Sequence, residues 1–147
     1  MDFQELISDF ATRHGIGNLA AEDSAAALDV DGIVVTLVGA GDVLSLSAEI
    51  GEPPSEGRAE FAELMLEANL QSDAFFAKAP ESGAYVVACR LTLPTLDDES
   101  FDAVLEALVN LAETWRRLIA DFRPVAQAAA ENVEGVPGFG TNGFMQV

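Results

Sequence analysis

Apolar residues at Phe3, Leu6, Ile7, Phe10 and Ala11 follow the i, i+3, i+4, i+7, i+8 spacing of one helical face. They predict a helix over residues 2–14, stopped by Gly15 and Gly17. From residue 24 the period drops to two. Leu28 and Val30 alternate with Asp29, and Asp31-Gly32 supplies a two-residue hairpin turn in which glycine tolerates positive φ. IVVTLV, residues 33–38, is the second strand, and Gly39-Ala40-Gly41-Asp42 turns again. Leu44, Leu46, Ala48 and Ile50 then alternate with Ser45, Ser47 and Glu49, giving a third strand with one dry and one wet face. The second strand differs from the third. Ile33, Val35 and Leu37 line one face while Val34 and Val38 flank Thr36 on the other, so both faces call for a cover. Helices supply one cover; a partner chain or a loop of the same chain supplies the other.

The helical period returns after Glu52-Pro53-Pro54-Ser55. Ser55 is the expected N-cap of a helix running to about Leu70, with Glu56 and Glu60 favouring its N-terminal dipole. Phe61, Leu64, Met65 and Ala68 form its core stripe. Ala62, Leu66 and Leu70 form a second stripe on roughly the opposite side. One apolar face is enough for a helix lying on a core, so the second stripe packs against either another subunit or another part of the chain. Residues 75–79 and 85–93 read as two more strands around the turn Pro80-Glu81-Ser82-Gly83, and Pro94 ends the second of them. The last helix is capped by Asp97 or Thr95. It carries Phe101, Val104, Leu105, Leu108, Leu111, Ala112, Trp115, Leu118, Ile119 and Phe122 on its apolar side, with Trp115 as a core anchor, and Pro124 ends or kinks it.

The resulting order, α-β-β-β-α-β-β-α, predicts an α+β fold: a twisted antiparallel sheet with helices on it. The 147 residues suit one domain, assigned to residues 1–130. At that size roughly 70% of the unfolded surface can be buried without a disulfide or metal staple. Residues 131–147 are rich in glycine, lack periodicity and read as a flexible C-terminal tail.

Charge narrows the partners. Seven basic residues face 25 acidic ones, a formal net charge of −18. Phosphate backbones and anionic membrane surfaces repel such a chain, so nucleic-acid binding is excluded first. High negative charge also keeps a protein dispersed while it displays apolar surface. No run of 18 apolar residues spans a membrane, and Asp2, Glu5 and Asp9 stand where a signal peptide would carry basic and apolar residues. With a single cysteine, Cys89, no internal disulfide forms. These features together place the protein in the cytoplasm.

Chemistry is sparse. His14 is the only histidine, and its position suits a helix-end cation rather than a catalytic base, because no nucleophile motif accompanies it. Cys89 lies inside an apolar run and reads as a buried small hydrophobe. Gly39 and Gly41 lack the third glycine of a dinucleotide loop, and Asp29 and Asp31 lack the spacing and the closing glutamate of a calcium loop. Asp97, Asp98 and Glu99 at a helix start are dipole partners. No cofactor, metal or catalytic residue is assigned.

The middle helix ending LMLEANL with Asn69, the apolar strand pair, LPTLDDESF and Trp115 in the last helix together resemble the class I type III secretion chaperones, the Tir-chaperone family. The resemblance covers roughly residues 3–123 and departs in the glycine-rich tail and the alanine-heavy first strand. It implies a homodimer joined through the middle helix and neighbouring strands, here Ala62, Leu66, Leu70, Val86 and Ala88. It also implies a secreted effector whose extended N-terminal segment is taken by apolar patches and partly by strand addition. Helix and sheet positions Phe3, Ile7, Phe10, Ile33, Val35, Leu37, Leu44 and Leu46 are the partner-binding candidates, with the face used by each left open. Binding alone keeps such an effector soluble and competent for secretion, with no ATP or metal. Two other readings compete: a client-free regulatory or stress-related protein of the same fold, and an enzyme working through carboxylates of raised pKa in a concave pocket.

Overall fold

The computed structural model describes residues 2–15 and 24–124. Met1, residues 16–23 and residues 125–147 lie outside it, so the Gly17 stop and the C-terminal tail fall outside the described residues.

The elements, in order, are α1 (Phe3–Arg13), β1 (Ala25–Val30), β2 (Ile33–Ala40), β3 (Val43–Gly51), α2 (Arg58–Asn69), β4 (Phe75–Lys78), β5 (Tyr85–Thr92), a short 3-10 turn (Leu93–Thr95) and α3 (Asp98–Ala120). The five strands form one antiparallel sheet ordered β1-β2-β3-β5-β4, an α+β arrangement as the periodicity predicts.

Local chemistry sets most boundaries. Asp31 (φ 55°) and Gly32 (φ 87°) both take the left-handed region, so the first hairpin closes through a type I′ turn matched to strand twist. The Asp29 carboxylate accepts the Gly32 N–H at 2.9 Å and fixes that turn. Asp2 and Glu5 form a capping box on α1, each side chain accepting the other's backbone N–H. Asp97 rather than Thr95 caps α3, accepting the Ser100 N–H at 2.8 Å. The cap of α2 departs from expectation. Gly57, not Ser55, holds that position at φ 75°, and a Cβ there would lie 2.8 Å from the Phe122 ring. Close packing of the chain after α3 decides where α2 starts.

Every strand sends one set of side chains into a single core. Leu28, Val35, Ala48, Val87 and Phe76 form one cross-strand row, and Ala26, Leu37, Leu46 and Cys89 the next. All three helices bury their apolar sides against these rows: Phe3, Leu6, Ile7 and Phe10 from α1, Phe61 and Met65 from α2, Phe101, Leu105, Leu108, Val109 and Ala112 from α3. Phe61 is wholly buried among Tyr85 (stacked, 6.0 Å between centroids), Trp115 (5.7 Å, edge-on) and Phe122 (5.1 Å, edge-on). Trp115 also packs on Phe76 at 4.4 Å, so α2, α3, β4 and β5 meet at one aromatic joint.

Candidate protein-binding surfaces

Period-two geometry turns the remaining side chains to the opposite face of the sheet, which no described helix covers. Its central row runs Ala27, Thr36, Ser47, Ala88 and Phe75 across all five strands. Val38, Ser45 and Arg90 form a neighbouring row. Val34, Val38 and Val43 are 48%, 43% and 40% exposed on this face. The Arg90 guanidinium lies over the Phe75 ring at 4.9 Å and closes one end of the surface with a cation. A floor of Ser, Thr and Ala between exposed valines is shallow enough for an extended chain to lie on it.

Among the described residues this face adjoins a free edge. The Gly39 N–H donates to the Ser24 carbonyl at 2.8 Å, which fixes the alternation of bonds along β1. Ala25, Ala27 and Asp29 therefore turn their N–H and C=O groups away from β2. Among the described residues nothing pairs with them.

The outer side of α2 is a separate apolar surface. Leu66 is 66% and Leu70 90% exposed, while Ala62 is half-buried and rests partly on the core. Glu63 and Glu67 flank this stripe.

These placements correct the expected binding residues. Phe3, Ile7, Phe10, Ile33, Val35, Leu37, Leu44 and Leu46 are all at most 7% exposed and lie within the chain's own core. The helices pack on the face these residues occupy, so their side chains serve the chain's own core. The open face instead belongs to Val34, Thr36 and Val38 of β2 and Val43, Ser45 and Ser47 of β3. A signal for this was in the sequence. The wet face of β3, read through the hairpin that joins it to β2, maps onto Val34 and Val38. Of the five residues named for a dimer interface, Ala62, Leu66 and Leu70 share the α2 stripe. Val86 and Ala88 lie on the open face of β5, apart from that stripe, with Ala88 sunk between Ser47 and Phe75.

A charged cluster holds α1 to α3. The Arg13 guanidinium reaches Asp9 at 2.9 Å, Asp98 at 3.5 Å and Asp102 at 2.5 Å, and His14 Nε2 lies 3.6 Å from Asp102. The hydrogen bond from Arg13 holds the Asp9 carboxyl below the usual carboxylate range. Asp98 shifts upward, chiefly because it shares a hydrogen bond with Asp9. Burial pushes the Cys89 thiol up, away from the reactive thiolate. Among the described residues no group of three His, Cys, Asp or Glu side chains is arranged to hold a metal ion, and no helix is long and apolar enough to cross a membrane. A shallow cavity of about 270 Å³, lined by Asp2, Phe3, Ser24, Gly39, Gly41, Asp42, Leu93 and Pro94, opens where β1 begins.

Among the described residues, then, the antiparallel sheet is backed by helices on one face and leaves its other face and the β1 edge open, an arrangement to which an extended polypeptide can add. Residues 5–116 match the Tir chaperone protein (CesT) family, and the chain belongs to it. Solved structures agree. The ExsC–ExsE complex is similar at 26% identity over 83% of this chain and 93% of that one, with a TM-score of 0.68. The Yersinia pestis type III secretion chaperone SycH, in complex with a stable fragment of YscM2, is similar at 21% identity, covering 78% and 99%, with a TM-score of 0.62. The fold is shared more widely. YbjN of E. coli, a putative transcription regulator, gives a TM-score of 0.59 at 15% identity, covering 80% and 91%. Comparison with curated proteins returns no match.

Proposed function

We propose that this protein is a type III secretion chaperone that binds, without catalysis, the extended N-terminal segment of a secreted effector and keeps it soluble and ready for export. The observation that carries this reading is that, among the described residues, the sheet face of Val34, Val38 and Val43 is uncovered and the edge of β1 beside it unpaired, in a chain of the Tir chaperone family. Main-chain groups of Ala25, Ala27 and Asp29 would bond an added strand, and its alternate side chains would cover the valines. Each valine taken from water contributes about 1.5 kcal/mol before the cost of ordering the segment is subtracted. The net charge of −18 steers a basic segment toward the surface and keeps the unloaded protein dispersed. The reading further assigns the Leu66 and Leu70 stripe to a homodimer, since two large exposed leucines one turn apart are an expensive surface for a lone protomer. It places the protein in the cytoplasm, where an effector awaits export.

Affinity capture of the tagged protein from its native host, with limited proteolysis of whatever co-purifies, tests the proposal. One dominant partner protected over an N-terminal segment is expected. Recovery of the protein alone, from cells expressing candidate effectors, would overturn the effector-binding role and favour the client-free regulatory reading.

A further inference from the structure

The two edges of the sheet are finished differently. Phe76 opposes Val87 on β4, and its N–H and C=O point away from β5. Neither is free. The Asn69 carboxamide, at the end of α2, accepts the Phe76 N–H at 2.7 Å through Oδ1 and donates to the Phe76 carbonyl at 3.4 Å through Nδ2. A carboxamide carries the same donor–acceptor pair as a peptide group, so Asn69 stands where a residue of a neighbouring strand would stand. At Ala74, two residues before Phe76, Ser72 repeats the device. Its hydroxyl accepts the Ala74 N–H at 2.9 Å and donates to the Ala74 carbonyl at 3.2 Å. Among the described residues, only the outward groups of Lys78, an exposed and charged position, remain along β4.

We propose that Asn69 and Ser72 act as side-chain stoppers on the β4 edge, so that a strand can join this sheet only at β1. Asn69 is thus a positioning residue. It acts on the opposite edge from the one that accepts a strand, yet it determines where one can add. The closure of β4 is independent of the chaperone reading, while the delivery of an effector segment to β1 rests on it.

Backbone amide exchange of the uniformly labelled full chain, followed by NMR, tests the closure without any partner. The Ala74 and Phe76 amides should exchange about tenfold or more slowly than those of Ala27 and Asp29. Equal rates would overturn the proposal. In the Asn69→Ala, Ser72→Ala double variant, the Phe76 amide should speed up to the rate of the β1 edge. The variant should also self-associate with concentration in sedimentation velocity beyond the wild-type state. Adding Lys78→Pro, which removes the last outward N–H of β4, should abolish that association. A folded double variant that sediments like wild type, or an association that survives Lys78→Pro, would count against the stopper. Should the double variant fail to fold, the wild-type exchange rates decide alone. Failure to capture an effector would sink the chaperone reading and leave these exchange rates unchanged.

Discussion

Val34 and Val35 are neighbours on β2 with the same kind of side chain and opposite environments. Val35 is 0% exposed, enclosed by Leu28, Ala48 and the helices; Val34 is 48% exposed on the bare face. The pleat alone separates them. The helix-backed face holds the fold together, while the other face is open among the described residues. Size divides them further: Ile, Leu and Phe fill the first, while Val, Ala, Ser and Thr dominate the second.

The sharpest way to break this comparison is to charge both positions. Val35→Asp buries an unpaired carboxylate and should cost about 4 kcal/mol or more, seen as loss of the cooperative transition in urea. Val34→Asp should change stability by no more than about 0.5 kcal/mol in the same titration. Phe61→Ala, at the joint of α2, α3, β4 and β5, should cost about 3–5 kcal/mol by denaturant unfolding. On the outer side of α2, Leu66→Asp with Leu70→Asp should leave the fold intact and turn a dimer into a monomer in sedimentation equilibrium. An unchanged mass would remove the stripe from the interface.

The smallest expected effect concerns the cover of the helix-backed face. Hydrogen bonds from Ser100 hold the Asp97 carboxyl below its ordinary range. A folded-state pKa below the unfolded one gives stability that is present above the unfolded pKa, about 3.9, and lost as pH falls through the folded value. Asp98 acts with the opposite sign: its contribution is present at low pH and fades as pH rises through its raised value. Melting temperatures of wild type and Asp97→Ala should therefore converge as pH drops below about 4. A constant gap down to pH 2 would mean that the cap does not depend on its charge.

Much of the fold is legible in the sequence because its elements are set locally. Period 3.6 marks α1 and α3, alternation marks β3, and Asp31-Gly32 fixes the first hairpin. What was not legible depends on contacts between distant residues. The start of α2 is set by Phe122 and Pro124 against Gly57, and Arg13 meets Asp98 and Asp102 about 85 to 89 positions away. The expected binding residues fell in the core because the largest apolar residues were taken for contact residues. In a two-layer fold those residues are the first to be claimed by the core. Leu66 and Leu70 stood out correctly as a stripe because helix α2 already had its core side in Phe61 and Met65. Asn69 was noticed only as part of a motif; its bonds to Phe76 appear once β4 is folded alongside it.

The most direct test of the central claim is parallel affinity capture from the native host with wild type and with a Val34→Asp, Val38→Asp double variant of equal melting temperature. Wild type should retain a dominant partner and the variant should lose most of it. Equal recovery on both would show that the bare face of the sheet is not where the partner binds.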